Sequence, residues 1–361
     1  MKVAVLGAGA GGASAAVELV LAGHEISLWN RSAAALAGFQ QAGGVAYRGV
    51  FGEGFVPLRR VTTDLRAATA GADVLLVTLP TLAHGALASS LLESRITTVP
   101  VVLNPGHTGA ALELSQAFRT AGHTPPPIAE FSTLTYVARK AGAELVTTTG
   151  KARAVRAASM PGGECALQLA CELFPAAQPV ANVLVTSLSN VNMVLHPPGC
   201  ILGAAWIEST QGRFTFYVEG LSDGVARVLD SLDAERRAVA AALGVALPSL
   251  FEEMQLIGTI ESGADPAAGL AAAVRAGVAN KTIQAPDSVR HRYFQEDLWY
   301  GLQPFLAIAE IAGTATPTAR SLLHLGKELV GSAGPGAGRT ARAMGIAGLD
   351  RAALLAFVNG G

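Results

Sequence analysis

One stretch restricts the fold of this chain more than any other. Residues 3–6 are the apolar run Val3-Ala4-Val5-Leu6. Gly7-Ala8-Gly9-Ala10-Gly11-Gly12 follows, then a helical stretch from Ala13 to Ala22 stopped by Gly23, then a second apolar run, Ile26-Ser27-Leu28-Trp29. The order is strand, glycine turn, helix, strand. Gly7, Gly9 and Gly12 keep the G-x-G-x-x-G spacing of dinucleotide-binding folds. The first glycine permits a tight turn, the second lets backbone approach a pyrophosphate, and the third lets the helix pack against the strand. The helix N-terminus then offers free N–H groups to phosphate. The spacing predicts a nucleotide site built from Gly7, Gly9, Ala10, Gly11 and Gly12.

Downstream, the same grammar repeats. A helix is expected over residues 33–41, a hairpin or loop over 45–54 and a strand over 56–61, with Asp64 capping a short helix. The apolar run 74–79 has the continuous character of a strand buried in a parallel sheet. Further strands are expected at 99–103 and 128–133, with a helix over 110–121. Strands alternating with helices predict a doubly wound parallel sheet, with the ligand along the edge where the strands end. Leu79-Pro80 and Asn104-Pro105-Gly106 each follow such a strand and join the expected cofactor-binding set. From about Asn182 the pattern becomes helical: 183–195, a break at Pro197-Pro198-Gly199, then 200–208, 222–243, a helix from Asp265-Pro266 to Gly277, another from Asp287 to Ile311, one from Thr316-Pro317, and a final pair of short helices. The expected organisation is a Rossmann-type domain over residues 1–181 and an all-α domain over 182–361.

Composition excludes several classes. At 361 residues the chain exceeds what one core usually supports. Its formal net charge of −1 gives no broad attraction for nucleic acid or an anionic membrane. No apolar run approaches membrane-spanning length. Cys165, Cys171 and Cys200 are odd in number and lack metal-ligand spacing, so neither a disulfide framework nor a metal site is expected. With the first strand beginning at residue 3, a cytoplasmic location is expected.

Three places could carry chemistry. His196 precedes Pro197-Pro198, which disfavour α backbone before them. Arg292 and Asp297 lie five residues apart in a charged segment. Asn104-Pro105-Gly106-His107 ends a strand on the ligand edge. Each also has a plain structural reading: a hydrogen-bonded helix end, a solvated helix start and an ordinary turn.

Several stretches together resemble the bacterial opine dehydrogenases, of the N-(1-carboxyethyl)-amino-acid dehydrogenase type, the NAD/NADP octopine/nopaline dehydrogenase family. They are the glycine turn, Leu103-Asn104-Pro105-Gly106-His107-Thr108-Gly109, the segment Thr186 to Pro197, Arg292-Tyr293-Phe294-Gln295-Glu296-Asp297 with Gly301-Leu302, and Gly338-Arg339-Thr340 running on to Gly348-Leu349. The resemblance spans nearly the whole chain. It implies a Rossmann domain followed by a helical domain of 6-phosphogluconate-dehydrogenase-like architecture. It implies a catalytic His196–Asp297 pair and substrate binding by Arg292 and Asn192. The activity implied is reductive condensation of an amino acid with a 2-oxo acid such as pyruvate, through an imine reduced by a nicotinamide cofactor. Imidazole suits proton transfer near neutral pH, Asp297 would orient it, and the planar guanidinium of Arg292 fits a carboxylate.

Ketopantoate and glycerol-phosphate reductases share the architecture but rely on a lysine in the helical domain. This chain has no lysine between Lys151 and Lys281. A non-catalytic nucleotide sensor would leave His196, Arg292 and Asp297 occurring together without a reason. A homodimer is expected from the apolar helical half. NADP is the expected cofactor, with NAD also admissible. The second strand ends in Asn30-Arg31-Ser32, with no acid between Glu25 and Glu53, whereas an NAD site usually places a carboxylate there for the ribose hydroxyls.

Overall fold

The computed structural model describes residues 1–278 and 280–361. The chain separates into two compact units: residues 1–106, 110–186 and 360, and residues 107–109, 187–359 and 361.

The first unit holds twelve strands: β1 Lys2–Leu6, β2 Glu25–Trp29, β3 Gly44–Gly49, β4 Gly52–Pro57, β5 Arg60–Thr62, β6 Val74–Val77, β7 Val101–Leu103, β8 Ile128–Phe131, β9 Tyr136–Lys140, β10 Leu145–Lys151, β11 Val155–Ser159 and β12 Ala177–Pro179. Eight form one sheet in the order β12-β11-β8-β7-β6-β1-β2-β5. β1 pairs in parallel with β2 on one side and β6 on the other. The chain therefore reverses its winding at β1, the switch point where open α/β sheets bind ligands. Val3 to Leu6 and Val74 to Val77 are almost fully buried, which explains their unbroken apolar character.

The sheet is mixed, not purely parallel as the alternation suggested. β11 runs antiparallel to β8. No helix separates these strands, and a parallel return needs a long crossover; the intervening residues instead form β9 and β10. Those two strands join β3 and β4 in a second, four-stranded sheet, β4-β3-β10-β9, which the sequence reading lacked. The strand expected at 56–61 is divided between the two sheets. Pro57 ends β4 because it has no N–H to continue a ladder, and β5 begins at Arg60 in the large sheet.

The second unit is helical. Its centre is the helix Val191–Leu202, started by Asn190, whose side chain accepts from the N–H of Asn192. Pro197 and Pro198 lie inside this helix rather than breaking it. Residues 193–201 are all buried, so packing on every side holds the helix together despite two missing N–H donors. The long helix Asp223–Ala242 packs on it. Between them, the fully buried Arg236 donates to Asp233, to the Leu188 carbonyl and to the Pro248 carbonyl. A buried charge is tolerated when it is paired and its donors are used.

Three other helix boundaries differ from expectation. The segment after Asp265 is a 3₁₀ turn, Pro266–Ala268, followed by Gly269–Ala276; Gly269 at φ +83° separates them. The helix expected from Asp287 begins instead at Arg292, capped by His291. Of the final pair of short helices, the described residues form Arg351–Asn359, preceded by turns.

Candidate functional site

The glycine turn is built as its spacing requires. Gly7 has φ +130°, a conformation that costs a side chain strain. A Cβ on Gly12 would lie 1.8 Å from the Gly7 carbonyl oxygen and 2.6 Å from Thr78 Oγ1. Only hydrogen fits there, so the start of the helix Ala10–Leu21 seats directly on Gly7 and Thr78, the residues that follow β1 and β6. A Cβ on Gly9, in contrast, would meet nothing within 4 Å. Backbone is open to a ligand at the one glycine of the three where a pyrophosphate must approach. No side chain caps this helix, so its first N–H groups stay available to phosphate. These features fit a dinucleotide.

A pocket of about 90 Å³ at the end of β2 is lined by Trp29, Asn30, Arg31, Leu79, Ala83, Ala86, Leu87 and Ser90. Here Arg31 and Leu79, predicted from separate strand ends, come together. Ser32 and Asn30 have local duties as well: Ser32 caps the helix Ala33–Ala42, and Asn30 accepts from the Ser32 N–H. Arg31 is exposed. Pro80 lies at the exposed end of the turn after β6. Asn104 is fully buried, and its amide is spent on Thr135, donating to Oγ1 at 2.9 Å and accepting from N–H at 3.2 Å. Its position supports the turn from below; Pro105 and Gly106 carry that turn's backbone.

The second cluster lies wholly in the helical unit. His196 Nδ1 is 2.7 Å from Asp297 Oδ2, and Nε2 is 2.8 Å from the Tyr217 hydroxyl. Tyr293 stacks on the imidazole with ring centroids 3.6 Å apart. His196, Asp297, Tyr217 and Tyr293 are all buried. The pair expected from two segments a hundred residues apart is thus assembled. A six-residue helix, Arg292–Asp297, supplies its acid, and a π-helical turn, Leu298–Leu302, follows at once. Arg292 opens this helix and Asp297 closes it, so both belong to one element. The Arg292 guanidinium lies 5.6 Å from the Tyr293 ring centre, and the residue is exposed, leaving it able to meet an incoming carboxylate. Asn192 is half-buried one turn before His196 and so shares its helix face.

Charge around the cluster is crowded. Burial pushes the Glu296 carboxyl up to about 7, against the pull of Arg292 and with help from Asp297. Burial likewise pushes His107 down to about 4, opposed by Asp297 and assisted by Arg339, Arg292 and His196. The two side chains approach to 4.0 Å. His107 is fixed through its neighbours: Thr108 donates to the Ser187 carbonyl, Gly109 N–H donates to Ser187 Oγ, and Arg339 donates to the Thr108 carbonyl. Burial also lowers His291, with Arg292 and His196 adding to the effect; a neutral ring leaves Nδ1 free to accept from the Tyr293 N–H. One turn beyond His196, burial and Asp297 raise the Cys200 thiol well above its usual range, so it is no nucleophile.

Sequence reasoning missed Tyr217, Tyr293 as a stacking partner, and Glu296. The one available signal was the run Phe214-Thr215-Phe216-Tyr217, an aromatic concentration in a chain with 6% aromatic residues.

A family model described as NAD/NADP octopine/nopaline dehydrogenase, alpha-helical domain, matches residues 179–330. An opine dehydrogenase of Arthrobacter sp. (strain 1C) is 31% identical over 357 residues, which is 98% of this chain and 98% of that protein. The chain belongs to the opine dehydrogenase family. It is an NAD(P)-dependent oxidoreductase acting on CH–NH donors. The fold agrees with solved members: an octopine dehydrogenase in complex with NADH and agmatine has a TM-score of 0.74 at 20% identity, covering 100% of this chain and 98% of that one. A yersinopine dehydrogenase with NADP+ bound has a TM-score of 0.72 at 16% identity, covering 99% and 97%. A model described as ketopantoate reductase PanE/ApbA matches only residues 3–120, the dinucleotide-binding part, and that activity is a secondary reading.

Proposed function

We propose that the protein joins the amino group of an amino acid to a 2-oxo acid such as pyruvate and reduces the resulting imine, with NADPH preferred over NADH. The observation that carries this reading is the buried His196, tied at Nδ1 to Asp297, within a chain of this family. Asp297 fixes the tautomer and orientation of the ring. His196 moves the protons that condensation and reduction require. Arg292 binds a substrate carboxylate through its planar fork, and Asn192, on the same helix face as His196, adds a hydrogen-bonding group. Gly7, Gly9, Ala10, Gly11 and Gly12 hold the pyrophosphate, while Leu79, Pro80, Asn104, Pro105 and Gly106 shape the path of the cofactor. Arg31, with Asn30 and Ser32, receives the 2′-phosphate. Bound cofactor supplies the hydride.

The domain assignment that goes with this reading is a dinucleotide-binding domain over 1–181 and a substrate domain over 182–361. The reading also includes a cytoplasmic homodimer. Exposed Leu202, Trp206, Leu325 and Leu329 on the helical unit support the dimer, and light scattering of the purified protein tests it.

The function is tested by following NADPH absorbance with pyruvate and each of the common L-amino acids. Oxidation should require both co-substrates, and mass spectrometry should find the N-carboxyethyl product. Oxidation with pyruvate alone, or with no combination, would reject the proposal.

A further inference from the structure

The structure gives His196 no free ring nitrogen. Nδ1 is held by Asp297 at 2.7 Å and Nε2 by the Tyr217 hydroxyl at 2.8 Å. Tyr293 covers one face of the ring at 3.6 Å, and Phe216 stands edge-on at 6.3 Å. An ionised Asp297 only accepts, so Nδ1 bears the hydrogen and Nε2 of the neutral ring presents a lone pair. That lone pair accepts from the Tyr217 O–H. The nitrogen able to work as a base thus faces a phenol.

Tyr217 is not a loosely placed side chain. It lies in a built turn between the helices Ala204–Thr210 and Asp223–Ala242. Phe216 N–H donates to the Ile283 carbonyl, and Ala285 N–H donates to the Phe214 carbonyl. Glu219 accepts from both the N–H and the hydroxyl of Thr215, and Gly220 N–H closes back on the Thr215 carbonyl. The ring is 6% exposed. Burial, reinforced by the Tyr293 phenol, raises Tyr217 well above its usual range, so the hydroxyl stays protonated and available as a donor.

We propose that the Tyr217 hydroxyl is a catalytic group, relaying protons between His196 Nε2 and the substrate atoms that gain or lose them. This rests on the opine-forming reading above. Condensation shows the balance. Addition of the amine to the keto acid gives a carbinolamine. With His196 doubly protonated, its Nε2–H bond breaks as the proton passes to the Tyr217 oxygen. The Tyr217 O–H bond breaks as its own proton passes to the carbinolamine hydroxyl. The C–O bond then breaks, water leaves, and the nitrogen lone pair forms the C=N bond of an iminium. Tyr217 ends protonated and His196 ends neutral, with Nδ1–H still on Asp297. Nothing is oxidised or reduced in this step.

The test is Tyr217→Phe, which keeps the ring and its packing and removes the hydroxyl. With NADPH, pyruvate and the L-amino acid that the wild type uses best, kcat should fall by about a hundredfold, the lower range for a lost proton-transfer group. The pyruvate KM and the NADPH Kd should stay within about twofold, since the relay acts on bound substrate. The pH–rate curve should change shape, and the His196 ring-nitrogen resonances should shift with loss of the donor at Nε2. A ring-fluorinated tyrosine at 217, which retains the hydroxyl and makes it more acidic, should keep turnover and displace the curve. Near-normal or raised kcat in Tyr217→Phe, with an unchanged curve, overturns the relay and leaves the opine reading standing. A wild type that never oxidises NADPH in an amine-dependent way overturns that reading and the relay with it.

Discussion

The two units make their sites by opposite means. In the first, the surface proposed for the cofactor is backbone: Gly9 is bare to solvent, Gly12 lies too close to Gly7 for any side chain, and the helix presents its first N–H groups. In the second, the surface is side chain: His196, Tyr217, Tyr293, Glu296 and Asp297 converge from three separate segments and are buried. A backbone site tolerates almost any residue except at its glycines. A side-chain site depends on functional groups whose replacements still pack. Substitution should therefore damage binding in one unit and chemistry in the other.

The sharpest division comes from His196→Ala. Turnover should fall by about 10²–10⁴, the usual worth of a positioned acid–base group, while NADPH titrated by fluorescence quenching binds as in the wild type. Retained turnover would remove His196 from the chemistry, and lost NADPH binding would erase the contrast.

Gly12→Ala should do the reverse. Its Cβ would sit 1.8 Å from the Gly7 oxygen, so the turn must open. Overpacking of this kind costs about 1–3 kcal/mol, or about 5- to 150-fold in NADPH affinity if borne by the binding geometry. Turnover at saturating NADPH should recover most of the wild-type rate. An unchanged NADPH Kd would show that the glycine is dispensable.

This contrast also explains what the sequence could convey. The glycine turn is contiguous, and its geometry follows from three residues and the absence of Cβ atoms, so it reads directly. The apolar runs that became β1, β6 and β7 read equally well, because strands buried on both faces need no alternation. The second sheet did not. β3 pairs with β10 a hundred residues later, and nothing local in 145–151 points to residue 46. The helix through Pro197-Pro198 misled for the same reason: local propensity argued for a break, and burial on all sides prevented it. In the site, His196 and Asp297 stood as separate candidates, each with a plain structural reading, and only the resemblance joined them as a pair, since their spacing carries no periodic signal. Tyr217 had no signal beyond an aromatic-rich turn, because its role depends on where the helix Val191–Leu202 places the His196 ring.

Arg31→Ala should give a smaller effect, confined to one cofactor. The side chain is exposed at the end of β2, on the pocket it lines with Leu79. A guanidinium–phosphate contact is strong when desolvated and weaker in water. The kcat/KM with NADPH should drop by about tenfold, and that with NADH should hardly change. Equal loss with both cofactors, or a wild-type preference for NADH, would mean that Arg31 serves adenine or solvent and not the 2′-phosphate.

The smallest expected effect is one the wild type conceals. Burial moves His107 from 6.5 down to about 4 and Glu296 from 4.5 up to about 7. Between pH 4 and 6.5 the unfolded chain protonates His107 while the folded protein does not, so this group makes stability rise with pH. Between pH 4.5 and 7 the folded protein keeps the Glu296 proton that the unfolded chain has released, so this group makes stability fall with pH. The two slopes oppose each other from pH 4.5 to 6.5, and the contribution of the pair there should be nearly flat. Glu296→Gln should expose the histidine, with stability lost as pH drops from 6.5 to 4. His107→Gln should expose the carboxyl, with stability lost as pH climbs from 4.5 to 7. Each slope should be roughly 1.4 kcal/mol per pH unit at most, the limit for one proton. Urea midpoints for the three proteins across this range decide the matter. Two variants as flat as the wild type would mean that neither group is held neutral by its surroundings. Slopes of the opposite sign would mean that the pair is an ion pair, with Glu296 ionised and His107 charged.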